Sequence, residues 1–309
     1  MRKITLTLFL LFCALLSACA GAPKLSDSIA ITASHGDGRV GTYVSSGQGY
    51  NTNSYWIEGP SGLILIDTQF LLSAGHEALE VAEKLTGKKV VLAIVLHPNP
   101  DKFNGTSELQ KRGIRVLTSD QVRKLIPDVH RDRHYWFYKR YQPDYPDTVP
   151  LPDSFGDQTT RLTAGGITVT AHVLGGPGCS EAHVVVEYEG HVFTGDLVAS
   201  QAHSWLELGK LDEWLDRIAE IRAFEPDYVH PGRGPSGGSD LLDREETYLR
   251  RVKHLMTALH PQGAMRESLI APVKAQLERE YPAYSYDYFL EIGLPSVWEA
   301  MAKSHKKTR

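Results

Sequence analysis

His97-Pro98-Asn99-Pro100-Asp101-Lys102-Phe103-Asn104-Gly105 follows directly on Val90 to Leu96, a run without a polar side chain. Such a run, of strand length, reads as a β-strand covered on both faces. An imidazole, an amide, a carboxylate and an ammonium are therefore grouped just past the end of a buried strand. Upstream, Asn53 to Ile57 and Leu63 to Asp67 are two β-type runs joined by the turn Glu58-Gly59-Pro60-Ser61-Gly62. Residues 72 to 86 carry apolar side chains at helical spacing and stop at Gly87. Downstream, residues 104 to 112 read as a helix and Ile114 to Leu117 as a strand. This β-α-β order predicts an α/β fold with helices covering a sheet. Ile167 to Val173, Val184 to Tyr188 and His191 to Thr194 supply further strands, and Leu211 to Phe224 an amphipathic helix. Tyr228-Val229 is a short strand. Residues 239 to 260 and 264 to 280 are helical, and the end from Lys303 reads as a frayed basic tail. Residues 130 to 150, rich in His, Arg, Tyr and Pro, read as a long surface insertion.

Three segments carry a resemblance when taken together and in order. The stretch from His97 to Gly105 is similar to the H-x-H-x-D-H-x-x-G signature of metallo-β-lactamase-fold hydrolases. Gly176-Pro177-Gly178-Cys179-Ser180 resembles that family's G-P-G-H-[ST] loop. Phe193-Thr194-Gly195-Asp196 followed by Pro231-Gly232-Arg233-Gly234 resembles its F-T-G-D and P-G-H-G pair. The opening hairpin also matches. The resemblance spans about 40 to 235 and implies a four-layer αββα sandwich at 40–238, followed by a helical C-terminal extension at 239–309.

The family's chemistry needs neutral imidazoles and anionic carboxylates around a zinc pair whose bound water attacks a carbonyl or phosphoryl centre. Measured against that requirement, the chain keeps His97, Asp101 and Asp196. Cys179 stands where a His is expected, and a thiolate is a zinc ligand. Those four are the candidate metal residues. Asn99 replaces a His with a poor ligand, Lys102 stands at another ligand position, and Arg233 replaces the last His and cannot ligate. The resemblance therefore implies at most one zinc, or none. Lys102 and Arg233 bring two positive charges to the two carboxylates Asp101 and Asp196, balancing them without metal. Asp101, Lys102 and Arg233 are accordingly the candidate catalytic residues, with Asn99, His183 and His203 in the cleft. His183 also reads as a core histidine, and His203 with Trp205 as an ordinary loop. His230 is offset by its position from the ligand vector. Asp67 reads as structural. Ser180 has no His-Asp partnership legible in sequence, so a serine-hydrolase reading is poor.

Arg2 and Lys3, the apolar run Ile4 to Leu16 and the box Leu16-Ser17-Ala18-Cys19 resemble a bacterial lipoprotein signal. The expectation is a signal peptide at 1–18, acylation of Cys19, and a small polar tether at 19–39. Ala20, not Asp, follows the Cys, which implies a cell-envelope protein lipid-anchored at the outer membrane and facing the periplasm. Loss of Arg2 and Lys3 takes the formal charge from -4 to -6. Of the three cysteines, only Cys179 then remains free, so no internal disulfide forms. The 309 residues, 42% hydrophobic and 23% charged, suit a folded globular chain. No basic block points to nucleic acid as a partner. Two functions are open. One is a hydrolase acting on a small ester, thioester or lactam with one metal or none. The other is a non-catalytic envelope protein that binds a ligand or partner through the altered cleft.

Overall fold

The computed structural model describes residues 29–31 and 37–307. The expected signal peptide, Cys19 and most of the expected tether lie outside the described residues. Ile29 to Ile31 do not: they form a short edge strand, β1 (Ile29–Ile31), so the stretch read as tether contributes to the sheet. It pairs antiparallel with β2 (Val40–Val44), which is followed by β3 (Asn53–Gly59) and β4 (Gly62–Ile66), joined by the tight turn expected from Pro60 and Ser61. Next come α1 (Leu72–Thr86), β5 (Val90–Ile94), α2 (Pro100–Phe103), α3 (Thr106–Lys111), β6 (Arg115–Thr118), α4 (Asp120–Tyr141) and β7 (Asp153–Ser154). These strands form one sheet in sequence order, antiparallel as far as β4 and parallel from β4 to β7.

The second half contains β8 (Thr160–Ala164), β9 (Ile167–Val173), β10 (Val184–Tyr188), β11 (His191–Ala199), α5 (Leu211–Arg222), β12 (Tyr228–Arg233), α6 (Asp240–Thr257), α7 (Glu267–Glu280) and α8 (Tyr288–Lys307). Its sheet runs β12-β11-β10-β9-β8, with only β11 and β12 parallel. The two sheets bury their facing sides in one core that includes Ile57, Leu65, Ile94, Val169, Val186 and Phe193. Helices α1, α3 and α4 cover the first sheet. Helices α5 and α6 cover the second, and α7 and α8 share their apolar cluster through Leu277, Leu290 and Trp298. The result is the expected αββα sandwich with C-terminal helices.

Two expectations change. Residues 130–141 are not insertion loop but the second half of α4, whose cap Ser119 accepts a hydrogen bond from the Val122 amide at 3.2 Å. The buried stripe runs through Val122, Ile126, His130 and Arg133. Half of that stripe is polar, which hides the helical period from a search for apolar spacing. The terminal segment is likewise not a frayed tail, since α8 continues to Lys307.

Candidate functional site

The strand ends deliver the side chains. His97 lies just beyond β5, where the Leu96 amide donates to Asp67 Oδ1 at 2.9 Å and anchors the turn. Asp67 itself has a left-handed backbone (φ 62) and is buried, and burial lifts its carboxyl to about 8 against the pull of Lys102. Helix α2 starts after Asn99 and carries Asp101 and Lys102. It is held down by its Lys102 carbonyl, which accepts from the Thr68 amide and hydroxyl at 2.7 and 2.9 Å. A Cβ on Gly105 would lie 2.0 Å from the Thr68 carbonyl oxygen, so only glycine lets these two turns touch. Asp196 projects from an irregular stretch of β11 opposite β12, and Arg233 ends β12. A Cβ on Gly232 would stand 1.9 Å from Asp196 Oδ1. Glycine there makes room for the carboxylate.

Asp101, Lys102, Asp196 and Arg233 close into one cluster. Lys102 Nζ lies 2.9 Å from Asp101 Oδ2 and 2.8 Å from Asp196 Oδ1. Arg233 donates to Asp101 Oδ2 at 2.8 Å and to Asp196 Oδ2. Thr52 Oγ1 adds a hydrogen bond to Asp101 at 3.3 Å. The Lys102 side chain is fully shielded, and the other three are at most 8% exposed. Burial pushes the Asp101 and Asp196 carboxyls up, and the two cations outweigh it, holding both below the ordinary range. Burial would lower the Lys102 and Arg233 groups, and the carboxylates overcome that and raise them. The cluster is fully ionised and neutral as a whole.

A second network runs beside it. The Asp196 amide donates to His97 Nε2 at 3.4 Å. His97 Nδ1 is 3.3 Å from Ser180 Oγ, which in turn donates to Asn99 Oδ1 at 3.2 Å. Burial, aided by Lys102, lowers the His97 imidazole to about 4, so it is neutral at pH 7. With Nε2 accepting, the single ring proton sits on Nδ1 and points at Ser180. His97 therefore donates to this serine and does not deprotonate it. Ser180, whose sequence offered no His-Asp partnership, thus stands beside a histidine turned the wrong way for a nucleophile.

Cys179 and His183 lie beneath the cleft. Cys179 Sγ is 3.3 Å from His183 Nε2, which also accepts from the Ser180 amide at 3.1 Å. Burial raises the thiol well above its ordinary value and lowers the His183 imidazole well below its own. Cys179 is thus a protonated thiol. His203 is not in the cleft: its Nδ1 is 2.9 Å from Tyr248 Oη and its Nε2 3.3 Å from Asp287. The helix α6 draws it away, a tertiary packing event that its neighbour Trp205 escapes. His230 is buried against His191, Nε2 to Nδ1 at 2.9 Å.

Above the charge cluster is a cavity of about 180 Å³. Asn99, Asp101, Asp196 and Arg233 form its floor, and Phe70, Trp136, Phe137, Trp205 and Phe289 are among its walls. Arg133 is wedged in the wall with its guanidinium 4.2 Å from the Trp136 ring and 5.9 Å from that of Trp205, and it pairs with Glu207. Tyr288, Phe289 and Ile292 come from α8, and the Phe289 ring is 5.5 Å from the Arg233 guanidinium carbon. No sequence motif singles out these α8 residues. The aromatic crowding from Tyr281 to Phe289 is the signal that could mark them.

The Metallo-beta-lactamase superfamily profile matches residues 47–233. The chain belongs to the metallo-β-lactamase superfamily. Over 207 residues it is 25% identical to the type 2 metallo-beta-lactamase of Bacillus cereus, covering 64% of this chain and 72% of that protein. The corresponding enzyme of Bacillus sp. (strain 170) is 24% identical over the same length. Among solved structures, a metallo-beta-lactamase from Pontibacter korlensis superposes with a TM-score of 0.59 at 21% identity, covering 72% of this chain and 99% of that one. FIM-1 from Pseudomonas aeruginosa, in its mono-zinc form, gives 0.56 at 18% identity, covering 74% and 97%. These structural likenesses show the fold.

Members of this superfamily usually bind zinc, and the donor set of this metallo-β-lactamase relative does not fit it. A zinc ion needs carboxylate oxygens at about 2.0–2.2 Å. Here Asp101 Oδ2 and both Asp196 oxygens are taken by Lys102 and Arg233. Nε2 of His97 accepts from a backbone amide, and Cys179 Sγ lies against His183 Nε2 at 3.3 Å. Among the described residues no three His, Cys, Asp or Glu side chains are grouped to hold a metal. A dication placed between the carboxylates would meet the Lys102 ammonium, and like charges at that range repel strongly in a dry site.

Proposed function

We propose that this superfamily member is a small-molecule-binding protein of the cell envelope whose cleft works without zinc. The observation that carries the reading is the Lys102 ammonium, 2.9 and 2.8 Å from the two carboxylates at complete burial. A fixed protein cation takes the place between Asp101 and Asp196. The family's hydrolytic chemistry depends on a metal-acidified water, and the residues here offer neither its ligands nor a substitute nucleophile. Ser180 is bonded on both sides, and Asp101, Lys102 and Arg233, the candidate catalytic trio, are paired with one another through Asp101 Oδ2. The aromatic cavity above remains, and a concave, mostly apolar pocket with a few convergent polar groups is what small-molecule sites look like. The envelope placement rests on the Leu16-Ser17-Ala18-Cys19 box. Among the described residues no helix is long and apolar enough to cross a membrane, and the lipid on Cys19 would supply the attachment.

The test is hydrolysis assayed with and without added zinc on a chromogenic cephalosporin, p-nitrophenyl acetate and acetylthiocholine, covering lactam, ester and thioester. The expected result is no turnover above that of an Asp101→Asn variant. Turnover that zinc increases and Asp101→Asn abolishes would overturn the reading and return the chain to the hydrolases.

A further inference from the structure

The floor of the cavity contains one polar group that the charge cluster does not use. Asn99 is only 9% exposed and lines the cavity. Its side-chain orientation follows from proton bookkeeping along the second network. The Asp196 amide hydrogen occupies His97 Nε2, which sends the imidazole proton out through Nδ1 to Ser180 Oγ. Having accepted that proton, the Ser180 hydroxyl must spend its own on Asn99, and it can do so only to the carbonyl oxygen, Oδ1, at 3.2 Å. Asn99 Nδ2 is then left with two hydrogens and no acceptor among the described residues. The cavity is where a partner would come from.

The charges around it define what that partner can be. Asp101 and Asp196 are balanced by Lys102 and Arg233, and Arg133 by Glu207. An ionic ligand would find no lining residue whose charge is uncompensated, and it would lose its hydration among aromatic rings. A neutral molecule with an apolar body loses nothing of the kind. As to size, an apolar cavity of roughly 150 Å³ is enough for benzene, and this open cleft offers about 180 Å³.

We propose that the cleft selects a small, uncharged carbonyl compound, its ring or short acyl body packed against Phe70, Trp136, Trp205 and Phe289, its carbonyl oxygen accepting from Asn99 Nδ2. Asn99 is the specificity-determining residue. Ser180 and His97 are positioning residues that hold its donor toward the cavity. The inference rests on the reading of the cleft as a binding site and adds the class of molecule it takes.

Three probes of similar size separate the possibilities: acetophenone, with a neutral carbonyl; cumene, of the same shape without an acceptor; and benzoate, the anion. Binding of each to the full chain is followed by ligand-observed NMR titration. The expected result is that wild type prefers acetophenone to cumene by tenfold or more and binds benzoate more weakly than acetophenone. Asn99→Asp keeps the oxygen that Ser180 bonds but turns the donor into an acceptor. It should abolish the preference for acetophenone over cumene. Asn99→Leu is the second variant, expected to do the same. Ser180→Ala should narrow the acetophenone-to-cumene ratio without altering cumene binding, which loss of structure alone would not do. Phe289→Ala should weaken acetophenone and cumene alike. If wild type binds acetophenone and cumene equally, or benzoate best, the Asn99 assignment is overturned while the pocket stands. If neither neutral probe binds in a Phe289-dependent way, the binding reading falls as well.

Discussion

Lys102 Nζ lies 2.8 Å from Asp196 Oδ1, with the lysine side chain entirely shielded from solvent. The two residues belong to different halves of the sandwich, Lys102 on the short helix after β5 and Asp196 on β11. Their ion pair, joined by Asp101 and Arg233, is a tie between the two halves of the molecule. Buried charges of this kind are expensive to strand and cheap to remove together. That asymmetry gives the first prediction.

Arg233→Ala leaves Asp101 and Asp196 sharing one cation, and should cost roughly 3–5 kcal/mol. Arg233→Ala combined with Asp101→Asn takes out one charge of each sign and should recover a substantial part of that loss. Urea denaturation of the two single variants and the double variant forms the cycle. Additive costs would show that the four groups do not act as one cluster.

Arg233→His restores an imidazole where the superfamily has a ligand and removes a repelling cation. It should bind zinc more tightly than wild type, and adding Asn99→His should tighten it further. Calorimetric zinc titration on proteins purified without added metal makes the comparison. Wild-type binding of two zinc ions at submicromolar affinity would end the idea that Lys102 and Arg233 replace metal.

Glu245 gives a prediction in pH. It lies on α6, accepts from Ser204 Oγ at 2.7 Å and from the Ala199 amide at 3.1 Å, and is buried. Burial raises its carboxyl to about 7 from an ordinary 4.5. Between those values the folded chain holds a proton that the unfolded chain releases. The contribution of Glu245 to stability is therefore present below pH 4.5 and is lost as pH rises toward 7, by up to about 1.4 kcal/mol per pH unit. Glu245→Gln has no proton to lose, and its amide can accept from Ala199 while donating to Ser204. Its stability relative to wild type should rise across that window. A difference independent of pH, from denaturation at four or five pH values, would show that Glu245 does not titrate there.

Cys19→Ala should move the protein from the membrane fraction to the soluble fraction of the producing bacterium, since the lipobox cysteine is the only proposed attachment. A wild-type chain already fully soluble in the periplasm would remove the anchor.

The sequence alone determined the layered fold and the positions of the altered ligands. Strand periodicity is local, and the turns that follow β5, β11 and β12 are marked by glycine and proline at fixed offsets. Residue order was therefore enough to place His97, Asp101 and Arg233 at or just past strand ends, whereas Asp196, expected beyond a strand that stops at Thr194, lies inside β11. The charge count of two cations and two carboxylates was also legible, because the resemblance to the family's motifs implies that those four positions share one site. Tertiary structure decided the rest. It turned the polar stripe of α4 and the aromatic segment at the start of α8 into cavity walls, and withdrew His203 from the cleft to Tyr248. It also fixed the direction of the protons from Asp196 through His97 and Ser180 to Asn99. None of these has a sequence signal of its own. Each depends on which groups meet across elements distant in the chain, and on the loss of water there. Burial, not residue type, sets whether His97 is neutral and whether Cys179 is a thiol.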